Sequence, residues 1–205
     1  MGLYDRWVLP KLLDYAMKQK PIAMQRSKVV PQASGRVLEI GMGSGLNLAF
    51  YDRGRVAKLW GLEPSEELRS LARERAKEAG MDIEFLGVPG EQIPLDDASV
   101  DTVVTTYTLC TIPGVERALG EMRRVLVPGG TMLFSEHGRA PDAGVARWQD
   151  RLNRVWGHVS GGCNLNREIP DLIRGAGFRV DALDSMYVPG PRPFTYTYWG
   201  RAQRD

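Results

Sequence analysis

The sequence predicts an α/β fold in which helices cover both faces of a mostly parallel sheet. Short apolar runs typical of buried strands alternate with amphipathic helical segments, and this alternation specifies parallel strands joined by right-handed crossovers. The last two strand-like runs are instead joined by the short proline-rich turn "PGPRP", which is typical of an antiparallel pair. A chain of 205 residues is long enough for one such domain and too short for two.

Five segments have the apolar character of buried parallel strands. They lie at 35–41, 57–63, 82–88, 100–109 and 130–138. The helices between them are marked by their ends. Ser65 is the predicted N-cap of a helix over 64–80 and Gly80 its stop, whereas Pro128 and the two glycines after it stop a helix that begins near Gly114.

After the fifth strand the pattern changes. Residues 142–157 and 167–178 are predicted to be helical, with the turn 160–166 between them. The runs at 179–188 and 194–202 alternate aromatic and β-branched residues and are the predicted closing strands. The helical stretch before them is where we expect substrate-specific structure.

Composition excludes several classes of function. The 27 basic and 25 acidic residues leave a net charge of +2, which gives no electrostatic reason to expect a nucleic-acid partner. Cys110 and Cys163 lie far apart and lack the spacing of zinc ligands or of a disulfide framework, so no metal is expected. Free cysteines fit a reducing cytoplasm.

Residues 1–20 contain no uninterrupted apolar span, so we expect neither a signal peptide nor a membrane-spanning helix there. Apolar residues such as Tyr4 and Trp7 recur at roughly helical spacing instead. A stripe of this kind most often packs on its own domain. We therefore expect a capping helix that also helps to close a pocket, with peripheral membrane contact left open.

The stretch "RVLEIGMGSGLNLAFY" runs from a strand through a glycine-rich turn into a helix-like segment. Its glycines follow Glu39 at Gly41, Gly43 and Gly45, whereas a dinucleotide fingerprint wants glycine where Leu46 stands. No Lys-Ser/Thr pair follows, which excludes a phosphate-binding P-loop. Glycines without side chains let a ligand approach the backbone closely.

A second acidic residue, Glu63, ends the second strand twenty-two residues after Gly41. A carboxylate at this place can accept both hydrogen bonds of a ribose diol and would repel a 2′-phosphate. Taken alone, Glu63 could equally be an acid at the N-terminus of the helix after Pro64. Together with the glycine turn it predicts an adenosine-containing cofactor.

These residues resemble the class I S-adenosylmethionine-dependent methyltransferases. "VLEIGMGSGLN" is similar to their first motif, Glu63 to their strand-two acid, "GEQIPLDDASVDTVV" to their adenine-side loop, and "RVLVPGGTMLFSEH" to their fifth-strand region. The resemblance implies a Rossmann-like, seven-stranded sheet with an antiparallel last strand and S-adenosylmethionine across its carboxyl edge. The implied parts are a capping helix at 1–20, a cofactor-binding core at 35–137, a helical substrate region at 140–177 and a closing strand pair at 178–201.

The resemblance also implies roles for individual residues. Around the methionine part it places Glu39, Gly41, Gly43 and Gly45, with Asn47 at the start of the next helix. Glu63, followed by Pro64, takes the ribose, and Gly90 and Glu91 lie along the adenine. Adenine recognition falls to backbone groups or to Glu91, because Pro89 stands where many relatives carry an aspartate. Thr106, Tyr107 and Leu109 follow strand four beside the methionine end.

The acceptor is expected to be a small molecule. No Asp/Asn-Pro-Pro-aromatic sequence follows strand four, so the usual signature for methylating DNA bases or glutamine is missing. "GCNLNRE" and the pair Leu109-Cys110 resemble the methyltransferase-like enzymes that act on small lipophilic thiols. A thiol suits the chemistry, because a modest lowering of its pKa generates the nucleophilic thiolate.

His137 is the candidate catalytic residue, as a base or as a group that orients the acceptor, and a purely structural hydrogen bond is an equal alternative. Tyr4, Trp7, Trp156 and Cys163 are the candidate acceptor-site residues. Two other functions stay open: a phospholipid or quinone-type methyltransferase at the membrane surface, and an inactive cofactor-binding scaffold. The sequence leaves monomer and dimer equally open.

Overall fold

A computed structural model describes residues 9–205 of the chain. The strands in this part are β1 (Gly35–Ile40), β2 (Val56–Leu62), β3 (Glu84–Leu86), β4 (Val100–Thr106), β5 (Leu126–His137), β6 (Phe178–Tyr187) and β7 (Tyr196–Arg204). They form one seven-stranded sheet in the order β3-β2-β1-β4-β5-β7-β6. β1 to β5 pair in parallel, whereas β7 is antiparallel to both β5 and β6. The predicted Rossmann-like sheet with an antiparallel last strand is confirmed.

The helices of the same part are α1 (Leu9–Met17), α2 (Lys20–Val29), α3 (Glu66–Ala79), α4 (Val115–Val125), α5 (Ala143–Val159) and α6 (Ile169–Gly175). Both predicted ends of α3 are present. The Ser65 hydroxyl accepts a hydrogen bond from the Leu68 amide at 3.2 Å, and Gly80 takes a left-handed conformation with φ +61°. A side-chain acceptor at the first turn and a left-handed glycine at the last satisfy backbone groups that a helix leaves unpaired.

The core lies on both faces of the sheet, because neighbouring strand residues point to opposite sides. On one face Leu38 and Val103 pack with Leu119 and Met122 of α4 and with Ile173 of α6. A neighbouring residue in each strand, Val37 in β1 and Val104 in β4, packs on the other face with Val29 of α2 and Ala72 of α3. The apolar strand runs of the sequence are therefore buried from both sides.

The prediction of a helix directly after the glycine turn is wrong. Residues 41–50 form consecutive turns instead, in which the amides of Leu48 and Phe50 donate to the carbonyls three residues earlier, Gly45 and Asn47. Gly41, Gly43 and Gly45 all have positive φ, which interrupts the right-handed conformation that a helix needs. Asn47 therefore lies in a turn and not at the start of a helix.

β5 begins earlier than predicted. Leu126 already pairs with Val100, but the next partners are Thr102 and Thr131, so the register shifts across the Pro-Gly-Gly segment. α4 ends at Val125, three residues before the proline expected to stop it, and the Pro-Gly-Gly segment lies within β5 at the register shift. Proline and glycine are tolerated in a sheet at such a bulge.

None of the helices between residues 9 and 205 is long and apolar enough to cross a membrane.

Gly200 is the position at which the antiparallel part of the sheet is most sensitive to an added methyl group. A Cβ there would lie 2.1 Å from the Ala182 carbonyl oxygen and 3.0 Å from the Phe134 ring. We expect Gly200→Ala to lower the free energy of unfolding by roughly 1–3 kcal/mol, because backbone on β6 must shift. Denaturant unfolding measures the change.

Gly120→Ala is the matched control, since a Cβ at this position in α4 meets nothing within 4 Å. Its free energy of unfolding should rise by about 0.5–1 kcal/mol, because alanine is the better helix former. Equal stability changes in the two variants would contradict the close packing of β7 against β6.

Candidate functional site

The glycine turn follows β1 at the carboxyl edge of the parallel strands. It lies directly against the loop after β4, because a Cβ on Gly41 would be 2.3 Å from the Thr108 side chain. Around Gly43, by contrast, the nearest atom to an added Cβ is the Gly41 carbonyl oxygen at 4.0 Å. The turn thus combines a tight contact with the neighbouring loop and an open backbone surface, as close approach by a ligand requires.

Glu63 follows β2 next to this turn and is buried. Its two carboxylate oxygens accept hydrogen bonds from the backbone amides of Gly43 at 3.0 Å and Ser65 at 2.9 Å. Burial raises the pKa of Glu63, and those two amides and Arg69 oppose the rise. The structure brings the predicted ribose acid to the glycine turn, where its oxygens are held by main-chain donors. Pro64, the next residue, is exposed.

Glu39, at the end of β1, is completely surrounded by protein. It accepts a hydrogen bond from the Asn47 amide at 2.9 Å and one from the Tyr51 hydroxyl at 2.7 Å. Burial raises the pKa of Glu39 to about 7, although Tyr51, Arg26 and Asn47 act in the opposite direction. Asn47 is therefore joined to Glu39, and these contacts fix the turn onto the strand.

Arg26 of α2 completes this network and was missed by the sequence analysis. Its Nη1 donates to Asn47 at 2.8 Å and to the Thr106 hydroxyl at 2.5 Å, and its guanidinium lies 5.5 Å from the Tyr107 ring centre. Burial lowers its pKa, with Tyr107 and Glu39 opposing. Its Nε has no partner among the described residues. The proline at the start of α2 is the sequence feature from which this helix could have been predicted.

Glu136 was also missed, although it directly precedes His137. Its carboxylate accepts hydrogen bonds from the Thr105 hydroxyl at 2.6 Å and from the amides of Thr108 and Leu109 at 2.8 and 3.0 Å. Burial raises its pKa well above the ordinary value. An acid in an otherwise apolar strand was the sequence signal. Its role here is to hold the loop after β4, which Tyr107 enters with a positive φ of 55°.

α1 is tied to the glycine turn through Asp14. This carboxylate accepts from the Ser44 hydroxyl at 2.5 Å and pairs with Arg75 of α3 at 2.9 Å. Burial raises its pKa, but hydrogen bonds from Lys18, Ser44 and Arg75 outweigh that effect and hold it below the ordinary value. α1 thus lies over the turn, as a capping helix would. Tyr4 and Trp7 lie outside the described residues.

On the predicted adenine side, Gly90 is buried against Ile112 and Ile40. The Glu91 carboxylate accepts a hydrogen bond from the Gly114 amide at 3.0 Å, directly before α4 begins. Both residues lie near the start of α4, and Glu91 fixes the loop that leads into it.

His137, Cys110, Cys163 and Trp156 meet on the other side of the loop after β4. The Cys110 and Cys163 sulfurs are 3.5 Å apart. His137 is buried, and its ring interacts with Cys110 and with the Pro193 carbonyl. Burial lowers its pKa, with Cys110 and the Pro193 carbonyl opposing. Trp156 packs on Phe194 with ring centres 4.5 Å apart. The lowered pKa keeps the imidazole of His137 neutral near pH 7.

No group of three or more His, Cys, Asp or Glu side chains within the described region could hold a metal ion.

The raised pKa of Glu39 predicts a pH dependence of stability. The fold favours the protonated acid, so its contribution is complete below pH 4.5 and is lost as the pH rises through about 7. The free energy of unfolding of the wild type, relative to Glu39→Gln, should fall by roughly 2–3 kcal/mol between pH 4.5 and pH 8. Urea unfolding of both proteins across this range measures the difference.

Glu84→Gln is the control, because Glu84 is exposed and its ion pair with Lys58 lowers its pKa instead. It should show no such relative fall in this range. Parallel pH curves for the wild type and Glu39→Gln would contradict the raised pKa.

Comparison with known proteins adds family evidence to this geometry. The family model described as "Methyltransferase domain" matches residues 38–134. Human thiol S-methyltransferase TMT1B is 38% identical over 163 residues, which cover 77% of this chain and 66% of that protein. Human thiol S-methyltransferase TMT1A is 33% identical over 176 residues, with coverages of 82% and 71%. The chain thus spans just under two thirds of the length of TMT1B.

A phosphatidylethanolamine N-methyltransferase from Cereibacter sphaeroides is 32% identical over 136 residues, which cover 65% of this chain and 66% of that protein. Among solved structures, geranyl diphosphate methyltransferase in complex with S-adenosylmethionine has a TM-score of 0.70 at 14% identity, covering 89% of this chain and 84% of that one. This structural likeness concerns the fold.

Proposed function

The chain belongs to the family of S-adenosylmethionine-dependent methyltransferases, and from that premise we propose that it methylates the sulfur of a small lipophilic thiol in the cytoplasm. The main support for a thiol acceptor is the contact between the two segments that resemble the thiol methyltransferases, "GCNLNRE" and Leu109-Cys110. "GCNLNRE" lies directly on the loop after β4, where Asn164 donates two hydrogen bonds to the Cys110 carbonyl. The two human relatives are named thiol S-methyltransferases.

The residues at the carboxyl edge fit the cofactor. The open backbone around Gly43 allows close approach, and the Glu63 carboxylate beside it can exchange its main-chain donors for the two ribose hydroxyls. Near the methionine end, a ligand ammonium group would stabilise the ionised form of Glu39, whose pKa burial raises to about 7. The buried cation of Arg26 has no carboxylate within ion-pair distance among the described residues. When bound, the cofactor supplies an activated sulfonium methyl group.

The protein's own task is to bring a thiolate to that methyl group in line and without water. In this proposal Trp156 and the turn that carries Cys163 form the acceptor side. The neutral imidazole of His137, buried beside Cys110, takes the proton of the acceptor thiol. Gly90 and Glu91 line the adenine side.

A second candidate is methylation of a phospholipid or quinone. It is favoured by the similarity to the phosphatidylethanolamine enzyme and by three exposed apolar residues along α5, Trp148, Val155 and Val159. An amphipathic helix with such a face suits a membrane surface.

Methyl transfer from labelled S-adenosylmethionine to a panel of acceptors separates these functions. The panel contains alkyl and aryl thiols, amines, phenols, a quinol and phosphatidylethanolamine vesicles. We expect transfer to lipophilic thiols, faster as the pH approaches the thiol pKa near 8.5. Transfer to the lipid or the quinol alone would refute the thiol acceptor, and transfer to no acceptor would favour a scaffold.

The Glu63→Ala variant tests whether Glu63 binds the ribose of the cofactor. Removing the carboxylate deletes a paired polar contact to the ribose, so the Kd for S-adenosylhomocysteine should rise by about tenfold to a hundredfold. Isothermal titration calorimetry measures this change. Glu84→Ala, which removes an exposed acid from the next strand, should leave the Kd within about twofold. An unchanged Kd in Glu63→Ala would show that the nucleoside binds elsewhere.

A further inference from the structure

Two free cysteines from distant parts of the chain lie side by side at the proposed acceptor side. Cys110 is in the loop after β4 and is buried, whereas Cys163 is in the turn 160–166 and is partly exposed. Their sulfurs are 3.5 Å apart, although 53 positions separate the residues. The proposed transfer of a methyl group uses neither sulfur, since a protein thiol there would compete with the acceptor.

The backbones of the two segments are already held together. The Asn164 amide donates to the Cys110 carbonyl at 2.8 Å, and the Asn164 side chain donates to the same oxygen at 3.0 Å. The Arg167 guanidinium donates to the Leu109 carbonyl. A disulfide needs its sulfurs at about 2.05 Å and its Cα atoms roughly 4.4–6.8 Å apart. From their separation of 3.5 Å, the two sulfurs must approach by about 1.5 Å to bond.

We propose that Cys110 and Cys163 are a redox modification site that forms a reversible disulfide by exchange with a small organic disulfide, the oxidised form of a thiol acceptor. The choice of oxidant rests on the proposed function, because a pocket that binds a lipophilic thiol also presents the disulfide of that thiol to the neighbouring sulfurs.

The exchange takes place in two steps. The Cys163 thiolate attacks one sulfur of R–S–S–R, the S–S bond breaks, and R–S⁻ leaves, which gives a mixed disulfide on Cys163. Cys110 then loses its proton, its sulfur attacks Sγ of Cys163, and the second R–S⁻ leaves. The protein loses two electrons and two protons, and the small disulfide gains them as two thiols.

The surroundings of the two sulfurs predict different roles for them in the exchange. The hydrogen bond between the two sulfurs lowers the pKa of Cys163 despite its burial, so the more accessible sulfur is also the readier thiolate. The hydrogen bond to Cys163 and burial raise the pKa of Cys110 well above its ordinary value. Cys110 is thus the resolving residue, and the R–S⁻ released in the first exchange takes its proton.

The test uses the full chain and bis(2-hydroxyethyl) disulfide as the probe. After the probe is removed, we expect an intact mass lower by about 2 Da, the mass of two hydrogens, and loss of both free thiols in denaturant. Tris(2-carboxyethyl)phosphine should restore the mass and the thiols. Because the bridge closes a loop of 53 positions, the oxidised protein should have a Tm higher by several degrees.

Two variants separate the roles of the sulfurs. Cys110→Ser should stop at the mixed disulfide on Cys163 and gain about 76 Da, whereas Cys163→Ser should gain no adduct because Cys110 is buried. A wild-type protein that keeps both thiols, or that carries two adducts without a bridge, would overturn the proposal. None of these measurements depends on methyl transfer. A protein that forms the bridge but does not methylate thiols would therefore refute the proposed function and support the redox site.

Discussion

The buried hydrogen-bond network between Glu39 and Arg26 is the constraint on which the carboxyl edge of this sheet depends. Through Asn47, Tyr51 and Thr106 it joins β1, β4, the glycine turn and α2. Both charged groups are removed from water, which is costly unless each is hydrogen-bonded and an opposite charge is near. A network of this kind is stable only when it is nearly complete. The conformation of the glycine turn is therefore coupled to the docking of α2.

A second buried acid, Glu136, fixes the conformation of the other half of the carboxyl edge. Glu136 holds the loop after β4. Asn164 of the turn 160–166 and Arg167 just after it donate hydrogen bonds to the carbonyls of that loop. One half of the edge thus carries residues suited to a nucleoside and the other half carries a segment inserted between β5 and β6.

The fold could be predicted from the sequence because alternating apolar runs and helix caps are local signals. Ser65 and Gly80 mark the ends of α3 in the sequence as they do in the structure. The contacts that build the site are not local. Nothing in the sequence around Arg26 shows that it reaches Thr106, eighty positions away, and the meeting of Cys110 with Cys163 depends on how the turn 160–166 folds back. The helix expected after the glycines is replaced by turns, in which the amides of Leu48 and Phe50 bond three residues back and not four.

A crystal structure of the chain with S-adenosylhomocysteine tests the central claim most directly, because the claim is that the glycine turn and Glu63 together bind the nucleoside and the amino acid of the cofactor. It should show the Glu63 carboxylate within about 3 Å of both ribose hydroxyls and the amino-acid end over the turn between Gly41 and Gly45. A nucleoside bound elsewhere, with Glu63 still joined to the Gly43 amide, would contradict it.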